Sequence, residues 1–62
     1  MDVGDRVVAT TNIGGVMRPS IPKGTGGVVT KASWGELKVL FTIKGWMGDK
    51  QHEVTVDKNE IA

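Results

Sequence analysis

The stretch Leu37-Lys38-Val39-Leu40-Phe41-Thr42-Ile43-Lys44 alternates apolar with mostly polar side chains at a period of two. Successive side chains of a strand point to opposite faces, so the pattern predicts a central strand that buries Leu37, Val39, Phe41 and Ile43. Nowhere do apolar positions hold a helical i, i+3, i+4, i+7 spacing for more than one turn, which excludes a helical bundle. Short β-branched runs recur instead between glycine-rich turns, the pattern of an all-β sandwich or barrel. Sixty-two residues leave room for one core, hence a single domain over residues 1–62. No cysteine and one histidine, His52, exclude a disulfide framework and a Cys/His zinc site, and neither metal nor cofactor is expected. The apolar share of 39% is enough for a core, so disorder is not expected. No apolar run approaches the roughly 20 residues of a membrane span. The acidic start Met1-Asp2-Val3-Gly4-Asp5 does not look like an export signal, and the chain reads as a soluble, cytoplasmic protein without membrane contact.

Strand one is expected over residues 6–11. Residues 12–22 carry two glycines, two prolines and the scattered apolar Ile13, Val16, Met17 and Ile21, which predicts a long loop packed partly by its own side chains. Pro22-Lys23-Gly24-Thr25-Gly26-Gly27 then turns into a second strand at residues 28–31. Ser33-Trp34-Gly35-Glu36 is the following turn, and residues 45–50 connect the central strand to a last alternating run at 51–56, with His52, Val54 and Val56 on one face. Asp57 and Glu60 have capping-box spacing, so Lys58-Asn59-Glu60 is expected to make one helical turn before Ile61.

Taken in order, five short strands, a long first loop, two tight hairpins and one helical turn before the last strand are the arrangement of a small SH3-like barrel. Val3-Gly4-Asp5-Arg6-Val7-Val8, Pro22-Lys23-Gly24-Thr25-Gly26-Gly27-Val28-Val29, Val39-Leu40-Phe41 and Asp57-Lys58-Asn59-Glu60-Ile61 together resemble small bacterial SH3-like barrels. Two groups are similar: electron-transport accessory proteins, such as the small photosystem I subunit and the variable chain of ferredoxin–thioredoxin reductase, and KOW-type barrels of ribosomal and transcription proteins. The resemblance implies an all-β barrel and leaves the activity open. Proline-rich peptide binding is not expected, because the chain has no tyrosine and only Glu36 as an acidic residue between positions 15 and 47. The reductase activity of type II dihydrofolate reductases is not expected either, since Val39-Leu40-Phe41-Thr42 lacks the polar residues of their pore.

Residue chemistry points to binding more than to catalysis. His52 is the one histidine, the residue type best suited to acid–base work, and no partner for acid–base or nucleophilic work stands beside it, so an enzyme is not expected. Gly24-Thr25-Gly26-Gly27 leads into a β-branched run instead of a helix, which argues for glycines that serve a barrel corner and against a phosphate-binding loop. Charge is unevenly spread: residues 15–47 hold Arg18, Lys23, Lys31, Lys38 and Lys44 against Glu36, between net-acidic flanks. Trp34 and Trp46 each lie beside glycine in a predicted turn, where a tryptophan either folds over the core or stands out as an interface anchor. The barrel order puts Trp34 at one end with Met17 and Arg18, and Trp46 with Met47 in a separate apolar knob.

The resulting expectation is a non-catalytic interaction or accessory module that binds a protein partner, itself included, through the loop tryptophans and the basic central face. The competing expectation is a KOW-type nucleic-acid binder contacting phosphates with Arg18, Lys23, Lys31 and Lys38 while Trp34 stacks on bases.

Overall fold

The computed structural model describes residues 1–62. Four antiparallel strands follow one another in chain order across one sheet: β1 (Arg6–Val8), β2 (Gly26–Ser33), β3 (Glu36–Gly45) and β4 (Gly48–Thr55). Helical structure is limited to one 3₁₀ turn, Lys58–Glu60. The sheet is open. A fifth strand is represented by one bridge, Ala9 with Ile61, flanked by reciprocal backbone bonds of 2.9 Å between Val8 and Ala62. β1 is also shorter than residues 6–11: the Ala9 N–H still bonds the Thr25 carbonyl in register at 2.9 Å, but the Thr25 N–H turns back to the Pro22 carbonyl at 3.2 Å and the Ala9 carbonyl accepts the Gly24 N–H at 2.8 Å, which ends the ladder.

The period-two run behaves as its pattern dictates. Val39 and Phe41 are buried, and Leu37 and Ile43 pack partly against the same core. Val29 lies opposite Val39 on β2, and Val54 lies opposite Val39 on β4, so three valines stack in one cross-strand row. Val7 completes the strands' contribution, Ala9, Val56 and Ile61 join the core from the segments just beyond β1, β4 and the 3₁₀ turn, and no polar residue is buried.

Residues 12–22 supply the remainder of the core. Ile13 and Ile21 are buried and bond each other through both backbone groups, at 2.8 and 2.7 Å, which closes the neck of the loop. Asn12 Oδ1 adds a bond from the Lys23 N–H at 2.8 Å. Val16 and Met17, by contrast, do not pack inward but lie fully exposed beyond the neck.

Two glycines are needed for specific reasons. Gly35 closes the two-residue β2–β3 turn with a φ of +79°, a conformation side chains disfavour. Gly27 faces the core, where a Cβ would lie 2.6 Å from Val39 Cγ1 and 2.9 Å from both the Leu40 carbonyl and Phe41 Cδ1. Its absence of side chain lets β2 approach β3 over the phenylalanine. At Gly26, one residue earlier on the opposite face, a Cβ would meet nothing within 4 Å. Gly27→Ala is therefore expected to cost about 1–3 kcal/mol by overpacking, whereas Gly26→Ala should be neutral or stabilising by up to about 1 kcal/mol. Urea melts of the two variants beside the parent check this, and coincident midpoints would contradict the packing account.

Candidate functional site

β3 spans the length of the molecule, and its two hairpins place the two tryptophans at opposite ends. Trp34 and Gly35 form the β2–β3 turn, closed by the Ser33–Glu36 pair, and Trp46 and Met47 form the β3–β4 turn, closed by Gly45 and Gly48. Neither indole folds back over the core: Trp34 is 103% exposed and Trp46 94%, with Met47 at 83%. A two-residue turn holds its side chains clear of both strands, which is the local reason for this exposure.

At the Trp34 end, a hollow of about 630 Å³ is lined by Met1, Ala32, Trp34, Leu37 and Val56, with Glu36, Asp57 and Lys58 among its polar neighbours. The first loop reaches the same end. Arg18 bonds the carbonyl of Thr55, which lies opposite Lys38 near the start of β3, at 3.2 Å.

Arg18 is a structural clamp in this arrangement. Its guanidinium makes a bidentate pair with Glu60, Nη1 to Oε1 at 3.0 Å and Nη2 to Oε2 at 3.3 Å, while Nε donates to the Gly14 carbonyl at 3.1 Å. Glu60 Oε1 also accepts the Asp57 N–H at 2.9 Å, and the Glu60 N–H bonds the Asp57 carbonyl at 2.9 Å, so one carboxylate holds both the 3₁₀ turn and the loop. The Arg18 bond, followed by that from Asp57, holds the Glu60 carboxyl below its ordinary range, and the same pair raises Arg18.

The other central cations divide in two. Lys31 pairs with Glu36 at 2.6 Å, which lowers the Glu36 carboxyl and raises the Lys31 ammonium, and Lys38 lies 3.9 Å from Glu53. The expected basic face at Lys31 and Lys38 is thus answered by carboxylates of the same sheet surface. Lys23 lies elsewhere, with Arg6 and Lys44 around a second hollow of about 690 Å³. Lys44 belongs to the basic middle of the sequence, whereas Arg6 lies in the net-acidic N-terminal flank and joins the group from there. Their alternation marks them as outward-facing, but the register that brings β1 beside β2 and β2 beside β3 is a tertiary fact.

His52 is half-buried opposite Phe41. No group of three His, Cys, Asp or Glu side chains converges anywhere, and no helix is long and apolar enough to cross a membrane. No family model, curated protein or solved structure matches the chain.

The Glu60 carboxylate carries a definite pH signature. A carboxyl held low in the folded state contributes stability above its unfolded value and loses it as pH falls through the folded value. Glu60→Gln is therefore expected to be less stable than the parent at about pH 7, with the difference shrinking below the ordinary carboxylate value of 4.5. Urea midpoints of both proteins at about pH 7 and about pH 2.5 measure this; a difference independent of pH would show that the charge of Glu60 is not what matters.

Proposed function

We propose that the chain is a non-catalytic, cytoplasmic interaction module that binds protein through its two exposed tryptophan turns, with a second copy as the partner its own ends fit best. The reading rests on the exposure of Trp34 and of the Trp46–Met47 pair at opposite ends of one strand. Large apolar tips of this kind carry binding energy when they enter a pocket and have no role in a core they do not touch. The Trp34 end offers such a pocket, lined by Met1, Leu37 and Val56 together with Trp34. An apolar knob at one end and an apolar hollow at the other make a heterologous contact between copies possible, and a net charge of +1 opposes it little.

The SH3-like barrel belongs to the same proposal. The strand order β1-β2-β3-β4, the long loop between β1 and β2, and the Ala9–Ile61 bridge on the outer side of β1 support it, with Ile61 in the place of a fifth strand. The nucleic-acid reading is weaker than at the sequence level, because Arg18, Lys31 and Lys38 each have a carboxylate partner of their own. A polyanion at that surface has to displace those carboxylates.

Sedimentation of the parent at about 0.01–1 mM, the affinity range of weak interfaces, is expected to show a concentration-dependent mass above 6.6 kDa. Trp46→Ala and Trp34→Ala should each return it to the monomer while leaving thermal stability within about 0.5 kcal/mol, because both side chains are exposed. A parent that stays monomeric throughout overturns the self-association.

A further inference from the structure

Eight basic side chains are present, and Arg18, Lys31 and Lys38 are paired with carboxylates. Of the five that have no ion pair, Arg6, Lys23 and Lys44 line one hollow, and no carboxylate lines it with them. The nearest acidic neighbours in the chain and register are Asp5, beside Arg6, and Asp49, opposite Lys44, and neither forms an ion pair with them. A chain of net charge +1 thus concentrates three unanswered cations in one concavity.

Gly26 lines this hollow without a side chain. Arg6 lies opposite Val28 across the β1–β2 ladder, and Val28 faces the outward side of the sheet with Leu40. Gly26, Thr42 and Lys44 share that side by strand alternation. Where Gly26 stands, the outer face has no side chain, and a Cβ there would meet no atom within 4 Å. Its φ is not positive, so the backbone does not demand glycine either. Glycine inside a strand costs about 0.5–1 kcal/mol relative to alanine, and nothing in the core recovers that at this position. The empty space it leaves is the floor of the cationic hollow.

We propose that this hollow binds a compact polyanion of the phosphate class, with Arg6, Lys23 and Lys44 closing on its oxygens above the bare strand at Gly26. Phosphate oxygens take several donors at once, which suits a guanidinium and two ammonium groups converging from different elements. The Thr42 hydroxyl is uncommitted and adds a donor, while the Thr25 hydroxyl is already bonded to the Pro22 carbonyl at 2.6 Å. Backbone cradling plays no part here: the Gly24 and Thr25 N–H groups bond the carbonyls of Ala9 and Pro22. Neither tryptophan lines the hollow, so the site stands or falls independently of the tryptophan interface.

The test is an amide chemical-shift titration of the full chain with sodium pyrophosphate at low ionic strength. Saturable shifts are expected at Gly26, Gly27 and Thr42, weakening as salt is added. Lys23→Gln and Lys44→Gln should each weaken binding about 2- to 5-fold, and Gly26→Glu, which sets a carboxylate into the hollow, should abolish it while the spectrum stays dispersed. A parallel titration with a short oligothymidylate separates the two sources of phosphate. Binding tighter than pyrophosphate, with shifts extending to the Trp46 indole, assigns the site to a single-stranded nucleic-acid backbone; equal or weaker binding assigns it to a free phosphorylated compound. Shifts that do not saturate, or that spread evenly over Lys31, Lys38, Lys50 and Lys58, or that survive Gly26→Glu unchanged, overturn the site.

Discussion

The scarcity of core is the constraint from which this structure follows. Ten buried apolar residues serve a chain of 62 with no disulfide to assist them, and the sheet alone does not provide all ten. Ile13 and Ile21 come from the loop and Ile61 from beyond the 3₁₀ turn. Burying a Leu- or Ile-sized side chain is worth about 1.5–3 kcal/mol before entropy is counted, so each of these is a large share of a small domain's margin. The loop neck and the terminal segment are ordered for this reason, and everything attached to them inherits a fixed position. Gly27 reflects the same economy: with so few residues, Phe41 fills the centre only if β2 offers bare backbone above it.

Much of this is legible in the sequence wherever a residue's neighbours along the chain decide its fate. The alternation from Leu37 to Lys44 identifies the buried face, and the Asp57–Glu60 spacing marks the terminal turn. The glycine beside each tryptophan marks the hairpins, although whether the indoles pack or protrude depends on the turn being only two residues long. Residues 12–22 show the limit of such reading. Val16 and Met17 are as apolar as Ile13 and Ile21, yet only the isoleucines bury, because they flank the neck where the two backbones bond. Composition does not distinguish the four; closure of the loop does.

Charge was less legible, for a reason that lies in strand register. Five cations in the middle of the chain suggest one basic face, but pairing partners are set across strands and not along them. Arg18 finds Glu60, 42 positions away, and Lys38 approaches Glu53 from the neighbouring strand. Glu53 and Glu60 of the C-terminal flank fold back onto the basic middle and answer two of its five cations, and Glu36, within the middle, answers a third. Arg6 and Lys44, 38 positions apart in sequence, come to share a hollow with Lys23.

A bulge in β2 decides how that neutralisation works. Val29 faces the core opposite Val39, and in an unbroken strand Lys31, two residues on, would face the core as well. The register shifts instead between Val29 and Lys31, with Thr30 as the extra residue, and Lys31 comes to lie opposite Lys38 on the outer face. Burying an ammonium costs far more than placing two ammonium groups side by side at a surface. The resulting repulsion is relieved on the spot, since Glu36 stands two residues before Lys38 and bonds Lys31, while Glu53 approaches Lys38 from β4. Glu36 and Glu53 are thereby engaged by these two lysines, while Asp49, opposite Lys44 toward the Trp46 end, makes no ion pair. At the Trp46 half, β2 begins with two glycines and β1 contributes Arg6, so no acidic side chain lines the space around Lys23 and Lys44. The bulge that keeps Lys31 out of the core thus brings it to the surface beside Lys38, where Glu36 and Glu53 answer the pair, and leaves Lys23 and Lys44 with no ion pair of their own.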